Sequence, residues 1–322
     1  MPPIPARPPT HRRGGPGVRH RAVVLGDLAL DVVLAPARPL ERATDVPGAV
    51  RLHQGGSAAN TARWLARLGV RTMLICAVGR DGPGRALVAA LRADGVDVRA
   101  ARPAGARTAR IGMLVDATGE RSFVADRGAA DLLAPGDLRA SWLSGAGVLH
   151  LPAYSLLGSP LGAAGRRAVE MARAAGAAVA IDLASTAPLL AGGRRRAHEL
   201  VRVADPDLLF TTGIEAAAFL GARDVTALLR FAPVAVVKRG PDGATLLSRA
   251  GSGPPVRLEV ATRPLAAADT TGAGDAFDAG YLAAWLGLDR SVAPGALRRA
   301  VVAGHRAAAR HLAAPRPELA LG

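Results

Sequence analysis

The sequence predicts an α/β fold with a mostly parallel central sheet, helices on both faces and a second, small sheet. Three observations support this prediction. Short apolar runs of strand length alternate with longer segments of helical period along most of the chain. Repeated strand–helix units of this kind build parallel sheets covered by helices. Two early stretches, 32–53 and 108–126, interrupt the alternation with short runs of a different character.

The alternation begins at residues 22–26, an apolar run that ends in a turn, as a buried parallel strand does. Further strands are predicted at 72–78, 147–151, 178–182, 207–211 and 234–238. Helices are predicted at 57–69, 84–94, 161–175, 194–203, near 214–220, 273–287 and 293–312. In the second interruption, the polar, glycine-containing segment 116–120 separates two short strand-like runs and is typical of a hairpin turn. We expect the two interruptions to pair with each other as the small sheet.

The net charge of +15 invites a nucleic-acid interpretation, but its distribution argues against one. Lys238 is the only lysine, and most arginines are scattered among alanine and glycine along the predicted helices. Residues 1–20 are rich in Pro, Arg and Gly without periodicity and are predicted to be a flexible tail. DNA binding through that tail stays an alternative, and deletion of residues 1–20 tests it. We expect no specific nucleic-acid partner.

Cys76 is the only cysteine, so neither an internal disulfide nor a thiolate zinc cluster can form. The chain offers neither a secretory signal in residues 1–20 nor about 18 consecutive apolar residues for a membrane span. These features predict a soluble protein that is located in the cytoplasm and has no membrane partner.

The strongest motif is the segment 268–277, where a glycine-rich turn opens into an apolar helix. Free backbone N–H groups and the helix dipole make such a start suited to a terminal phosphate. Gly272 and Gly274 let an anion approach the backbone closely. Asp275 lies in the first turn, where we expect it to be ionised and able to accept a proton. Taken alone, the motif also fits a helix start that Asp275 merely stabilises.

Two further motifs suit a polyhydroxylated ligand. In the segment 54–62, Gly55 and Gly56 precede a helix, and the amide of Asn60 can both donate to and accept from hydroxyl groups. Asp31 follows the first strand, at the edge where open α/β sheets bind ligands. Taken alone, the segment 54–62 fits a strand-to-helix turn with a solvated Asn60 better, and Asp31 fits a turn aspartate equally well.

Together, the three motifs resemble in order and spacing those of the ribokinase-like (PfkB) carbohydrate kinase family over residues 22–314. The C-terminal signature matches Asp269-Thr270-Thr271-Gly272-Ala273-Gly274-Asp275-Ala276-Phe277 without a gap. The resemblance implies an ATP-dependent kinase in which Asp275 is the catalytic base. It implies that Gly272, Ala273 and Gly274 form the anion hole. The expected organisation is a kinase domain over 21–314, with the interruptions as a β-sheet lid, and a C-terminal tail over 315–322.

The resemblance also assigns binding residues. Substrate is expected at Asp31, Gly55, Gly56 and Asn60, and the nucleotide at Lys238, Gly240, Thr270, Gly272 and Gly274. ATP and Mg²⁺ are the implied cofactors, and a monovalent cation is a further candidate. Glu215 is expected to hold the metal through water. Thr212 and Ala184 stand where the family usually has Asn, which bears on the metal shell.

The identity of the substrate is less clear from the sequence. Residues 32–53 contain no aromatic side chain and the second lid segment contains only Phe123, which favours a plain sugar over a nucleoside. Arg127 is a candidate partner for an acidic group on the sugar. A nucleoside kinase of adenosine or pseudouridine type and a non-catalytic sugar or nucleotide sensor stay open as alternatives. A homodimer through the edges of the lid is a further expectation.

Overall fold

The computed structural model describes residues 21–116, 120–249, 254–265, 267 and 269–321. The predicted tail 1–20 and the centre of the predicted turn at 116–120 lie outside these residues. The strands are β1 (Arg21–Leu25), β2 (Ala29–Pro36), β3 (Gly48–Gly55), β4 (Thr72–Ala77), β5 (Asp97–Ala101), β6 (Ala109–Val115), β7 (Arg121–Asp126), β8 (Ala146–Pro152), β9 (Ala178–Asp182), β10 (Leu208–Thr212), β11 (Val234–Lys238), β12 (Ala244–Ser248) and β13 (Val256–Val260).

The α-helices lie between these strands and after the last of them. They are α1 (Ser57–Arg67), α2 (Gly82–Ala93), α3 (Leu161–Ala174), α4 (Thr186–Leu190), α5 (Arg194–Ala204), α6 (Gly213–Leu220), α7 (Ala273–Gly287) and α8 (Pro294–Leu312). None of the described helices is long and apolar enough to cross a membrane.

The main sheet has nine strands in the order β13-β12-β11-β10-β9-β8-β1-β4-β5. The strands from β11 to β5 pair in parallel, and β12 and β13 add an antiparallel edge. Its central strands are apolar on both faces because helices cover both. One core cluster contains residues of α3, α5 and α6, and the other contains residues of α1, α2, α7 and α8. The predicted fold class is therefore confirmed.

The two interruptions form the separate small sheet, in the order β3-β2-β6-β7. Strand β2 pairs antiparallel with β3 and parallel with β6, so the two early segments pair with each other as predicted. Asp31 lies in β2, opposite His53 of β3. The candidate substrate carboxylate thus belongs to the small sheet, whereas Asp275 belongs to the main domain.

Candidate active site

A cavity of about 880 Å³ lies between the small sheet and the ends of the main-sheet strands. It brings together most of the residues that the motifs predicted. The predicted residues that line it are Asp31, Gly56, Asn60, Arg127, Glu215, Lys238, Gly272, Gly274 and Asp275. Four others, Gly55, Gly240, Thr270 and Ala273, are not among the lining residues. A cavity of this size can hold a small substrate and part of a nucleotide.

Asp275 lies in the first turn of α7 and accepts two side-chain hydrogen bonds from α1. Ser57 Oγ donates to Oδ1 at 2.6 Å, and Asn60 Nδ2 donates to Oδ2 at 2.9 Å. Gln54 Nε2 donates to Asn60 Oδ1 at 3.0 Å, which fixes the orientation of the Asn60 amide. The two signature motifs are therefore joined through the carboxylate that is expected to act as base.

The protonation of Asp275 differs from the expectation that the helix start keeps it ionised. Burial raises its pKa to about 7, although the hydrogen bonds from Ser57 and Asn60 favour the charged form and lower it. Asp182 adds a further upward contribution. Burial outweighs the dipole because it removes part of the hydration that stabilises the charged form. The resulting pKa suits a general base at neutral pH.

The backbone before α7 is shaped for close approach. Gly272 has φ +87°, in the left-handed region that favours glycine, and an added Cβ would lie 3.2 Å from the ring of His311. His311 Nε2 lies 2.7 Å from the Thr271 carbonyl oxygen, and Trp64 Nε1 donates to His311 Nδ1 at 3.2 Å. Because an indole N–H can only donate, Nδ1 must be unprotonated and Nε2–H must donate to Thr271. Burial lowers the pKa of His311, which favours this neutral form.

Lys238 ends β11 beneath this helix start and is held between two carboxylates. Its Nζ lies 2.9 Å from Asp182 Oδ2 and 3.0 Å from Asp278 Oδ1. Burial alone would lower the pKa of Lys238, but the two carboxylates raise it, so the ammonium stays charged. Asp278 is fully buried, and its burial raises its pKa. The nearby charge of Asp182 raises the pKa of Asp278 further. The same Nζ lies 3.4 Å from where a Cβ on Gly274 would be. The positive charge of Lys238 is therefore next to the candidate anion hole.

Thr212 and Glu215 form a reciprocal cap at the start of α6. Glu215 N donates to Thr212 Oγ1 at 3.2 Å, and Thr212 N donates to Glu215 Oε2 at 2.7 Å. Thr212 thus supplies a capping oxygen at the position where the family usually has Asn. Among the described residues, no three His, Cys, Asp or Glu side chains gather as a metal-binding group. Asp182 and Glu215 both line the cavity, and a few carboxylates with water are what Mg²⁺ commonly uses beside phosphates.

The far wall of the cavity carries a network that centres on Asp27. Arg127 Nη1 lies 3.0 Å from Asp27 Oδ2, and Tyr154 Oη donates to Asp27 Oδ1 at 2.8 Å. The Arg127 guanidinium also stacks on the Tyr154 ring at 4.7 Å and pairs with Asp131 at 3.0 Å. Arg127 therefore lines the cavity, as expected for a residue that contacts the substrate. Its charge, however, is already compensated by Asp27 and Asp131.

Sequence reasoning missed several residues of this site. Ser57, Tyr154, His311 and Arg316 were not selected. Arg316 Nη1 lies 2.8 Å from Asp31 Oδ2. Ser57 sits beside the selected Gly56, so proximity to a chosen motif was a usable signal. Tyr154 and Arg316 lie far in sequence from their partners, and no local pattern indicates the contacts.

Comparison with known proteins shows the family of this chain. The pfkB family carbohydrate kinase profile matches residues 19–315. Fructokinase-1 of Oryza sativa subsp. japonica is 32% identical over 271 residues, which cover 79% of this chain and 80% of that protein.

Solved structures match over most of both chains. Adenosine kinase from Sinorhizobium meliloti has a TM-score of 0.76 and 25% identity, and the match covers 94% of this chain and 97% of that one. A putative ribokinase II from E. coli, in complex with ATP and Mg²⁺, has a TM-score of 0.76 and 21% identity, with 92% and 94% covered. Because the profile match spans nearly the whole chain and the fructokinase relative is 32% identical, the chain belongs to the pfkB family of carbohydrate kinases.

Proposed function

We propose that this carbohydrate kinase transfers the γ-phosphoryl group of ATP to a hydroxyl group of a neutral sugar, with a ketohexose such as D-fructose as the first candidate. The observation that carries this proposal is the position of Asp275. It is partly buried, has a pKa of about 7, accepts hydrogen bonds from Ser57 and Asn60, and shares one cavity with Asp31. A carboxylate in that position can take the proton of an acceptor hydroxyl as the new P–O bond forms.

The start of α7 fits a terminal phosphate. Gly272 and Gly274 line the cavity at this start, the left-handed Gly272 leaves room beside the backbone, and Lys238 places a positive charge behind Gly274. These groups would hold the negative charge of the transferring phosphoryl group. The Ala273 amide, in contrast, already donates to the Thr270 carbonyl oxygen at 3.1 Å. Glu215 and Asp182 would hold Mg²⁺ through water. When bound, ATP with Mg²⁺ supplies the phosphoryl group and screens its charge.

The walls of the cavity favour a neutral sugar over a sugar acid. The charge of Arg127 is already compensated by Asp27 and Asp131, so a substrate carboxylate would have to compete with two protein carboxylates. Asp31 and Asp27 instead present acceptor oxygens, which suit the donating hydroxyl groups of a sugar.

The same walls disfavour a nucleoside. The aromatic rings that line the cavity, among its described residues, are Phe123 and Tyr154. Tyr154 is covered on one face by Arg127, and Phe123 is 57% exposed. These two rings do not make the paired aromatic slot that a base would fill. The curated fructokinase relative agrees with a sugar acceptor, although one matched structure is an adenosine kinase.

The test is an ATP-consumption assay with Mg²⁺ and a panel of D-fructose, D-ribose, a 2-keto-3-deoxy sugar acid and adenosine. We expect the highest kcat/KM with a neutral sugar. The Asp275→Asn variant serves as the control for contaminating kinases. A higher kcat/KM with adenosine or the sugar acid than with any neutral sugar would contradict the proposal.

We further propose that the enzyme works in the cytoplasm and forms a homodimer through the small sheet. Two apolar side chains of that sheet, Val50 and Val124, are 66% and 78% exposed, which supports an interface there. Sedimentation of the wild type and of Val124→Glu tests the dimer. A monomeric wild type at micromolar concentration would refute it.

A further inference from the structure

The segment after α8 packs along the edge of the small sheet. Leu319 N donates to the Leu52 carbonyl oxygen at 2.7 Å, and Glu318 forms an antiparallel bridge with His53. His53 Nδ1 also lies 3.0 Å from the Pro317 carbonyl oxygen. The end of the chain therefore covers the outer edge of β3, close to the sugar side of the cavity.

Arg316 lies in this segment and joins two motif aspartates that are far apart in sequence. Its Nη1 lies 2.8 Å from Asp31 Oδ2, and its Nε lies 2.8 Å from Asp269 Oδ2. The Arg316 side chain is only 11% exposed and is not among the groups that line the cavity. Asp269 in turn accepts from Thr271 N at 2.9 Å, at the turn that leads into Gly272. One guanidinium group thus connects the sugar side to the phosphate side.

We propose that Arg316 is a positioning residue, which fixes the Asp31 carboxylate for the acceptor sugar and couples it through Asp269 to the turn that opens α7. This inference rests on the proposed kinase function. Arg316 acts through Asp31 and Asp269 and does not touch the reacting atoms. The fixed geometry of a guanidinium, with separate N–H groups for the two carboxylates, explains why arginine suits this place and lysine, with one nitrogen, does not.

The environment of Asp31 shows what the arginine does. Burial raises the pKa of Asp31, the hydrogen bond and charge of Arg316 lower it, Asp27 raises it and His53 lowers it. On its other side, Asp31 Oδ1 lies so close to Gly55 that a Cβ there would be 1.9 Å away. Between Gly55 and Arg316 the carboxylate is held in one place. Without Arg316, Asp31 would remain protonated to a higher pH and would lose an acceptor site for a sugar hydroxyl.

The experiment compares Arg316→Gln and Arg316→Lys with the wild type. Arg310→Gln is the matched control, since Arg310 is an exposed arginine of α8. With the best acceptor from the panel, we expect Arg316→Gln to raise the KM for sugar about tenfold or more while kcat changes less than about threefold. The acid limb of kcat/KM for the sugar should move to higher pH. Arg316→Lys, which keeps the charge near Asp31, should restore part of the KM.

Amide hydrogen exchange, measured without any acceptor, tests the coupling separately. In Arg316→Gln we expect faster exchange both in residues 48–55 and in residues 269–272, and wild-type exchange in Arg310→Gln. Faster exchange confined to 48–55 together with an unchanged KM would overturn the proposal, because Arg316 would then only fasten the end of the chain. A wild type that phosphorylates no sugar would refute the proposed function. The exchange rates of residues 269–272 would still show whether Arg316 couples Asp31 to the turn before α7. If Arg316→Gln fails to fold, Arg316→Lys carries the same measurements.

Discussion

Asn60 Nδ2 donates a 2.9 Å hydrogen bond to Asp275 Oδ2 across 215 positions of the sequence. The contact joins the start of α1 to the start of α7, so both glycine-rich signatures meet at one carboxylate. Ser57 adds a second bond from the same turn of α1. These two hydrogen bonds fix the orientation of the Asp275 carboxylate. Its pKa then depends on burial, which raises it, and on the two donors, which lower it.

Removing the charge of Asp275 should abolish catalysis without unfolding the protein. We expect Asp275→Asn to lower kcat by about 10²–10⁴-fold, because the acceptor hydroxyl loses its proton acceptor. Turnover of D-fructose or of the best panel sugar gives the rate, and circular dichroism checks the fold. A variant that turns over at the wild-type rate would show that Asp275 is not the base.

The same substitution should change how stability depends on pH. The pKa of Asp275 is about 7 in the folded protein against an ordinary 3.8, so the folded state retains a proton that the unfolded state releases between these values. The free energy of unfolding contributed by Asp275 is therefore greatest below about pH 4 and declines as the pH rises towards 7. Asp275→Asn should lack this decline, so its Tm relative to wild type should be higher at pH 8 than at pH 5. A Tm difference that is independent of pH would contradict the raised pKa.

The rate should depend on pH through the same group. Since Asp275 must be ionised to accept a proton, kcat/KM should fall as the pH drops below about 7. Ser57→Ala removes a hydrogen bond that favours the charged form, so it should move this acid limb to higher pH. Ser144→Ala, at an exposed serine, is the control. An acid limb that stays in place in Ser57→Ala would assign the titration to another group.

The buried Lys238 should matter for stability more than any surface ion pair. Lys238→Met leaves Asp182 and Asp278 buried without their cation, and we expect a loss of about 3–5 kcal/mol in the free energy of unfolding. Adding Asp278→Asn should recover part of that loss. Arg257→Met is the matched control, because its 3.0 Å pair with Glu259 is exposed and should contribute less than about 1 kcal/mol. Urea denaturation measures all four proteins, and equal losses in the two single variants would refute the expectation.

The hydrogen bonds of His311 should support the anion hole. His311→Phe keeps a ring in place but removes the contacts with Trp64 and with the Thr271 carbonyl, so the turn before Gly272 loses an anchor. We expect kcat to fall about tenfold to a hundredfold, because small displacements of positioning groups are costly. His198→Phe is the control, since His198 packs against Phe219 and Phe231 outside the cavity. A wild-type kcat in His311→Phe would show that the turn holds its shape without it.

Periodicity was enough for most of the fold. The predicted strand 178–182 and helix 273–287 match β9 and α7 at both ends, because each is a run of strong pattern with clear turn residues around it. The antiparallel edge strands β12 and β13 were not predicted. They are five residues each, and β13 is half exposed, so neither gives a strong apolar signal.

Site residues could be predicted from the sequence where a local motif determines their chemistry. They could not be predicted where their properties depend on a contact with a residue that is distant in sequence. The roles of Gly272, Gly274 and Asp275 followed from a glycine-rich helix start. The pKa of Asp275 did not, because burial depends on α1, which packs there from the other end of the chain. Arg316 lies 285 positions from Asp31, and only the folded chain brings the two together.

The burial of Lys238 has a practical consequence. Because it is the only lysine in the chain and its amine is held by two carboxylates, lysine-directed reagents meet no other side-chain amine on this protein. Acylation at that single position, followed by mass spectrometry, therefore reports when the interior beneath the active site opens, and a bound nucleotide should slow it.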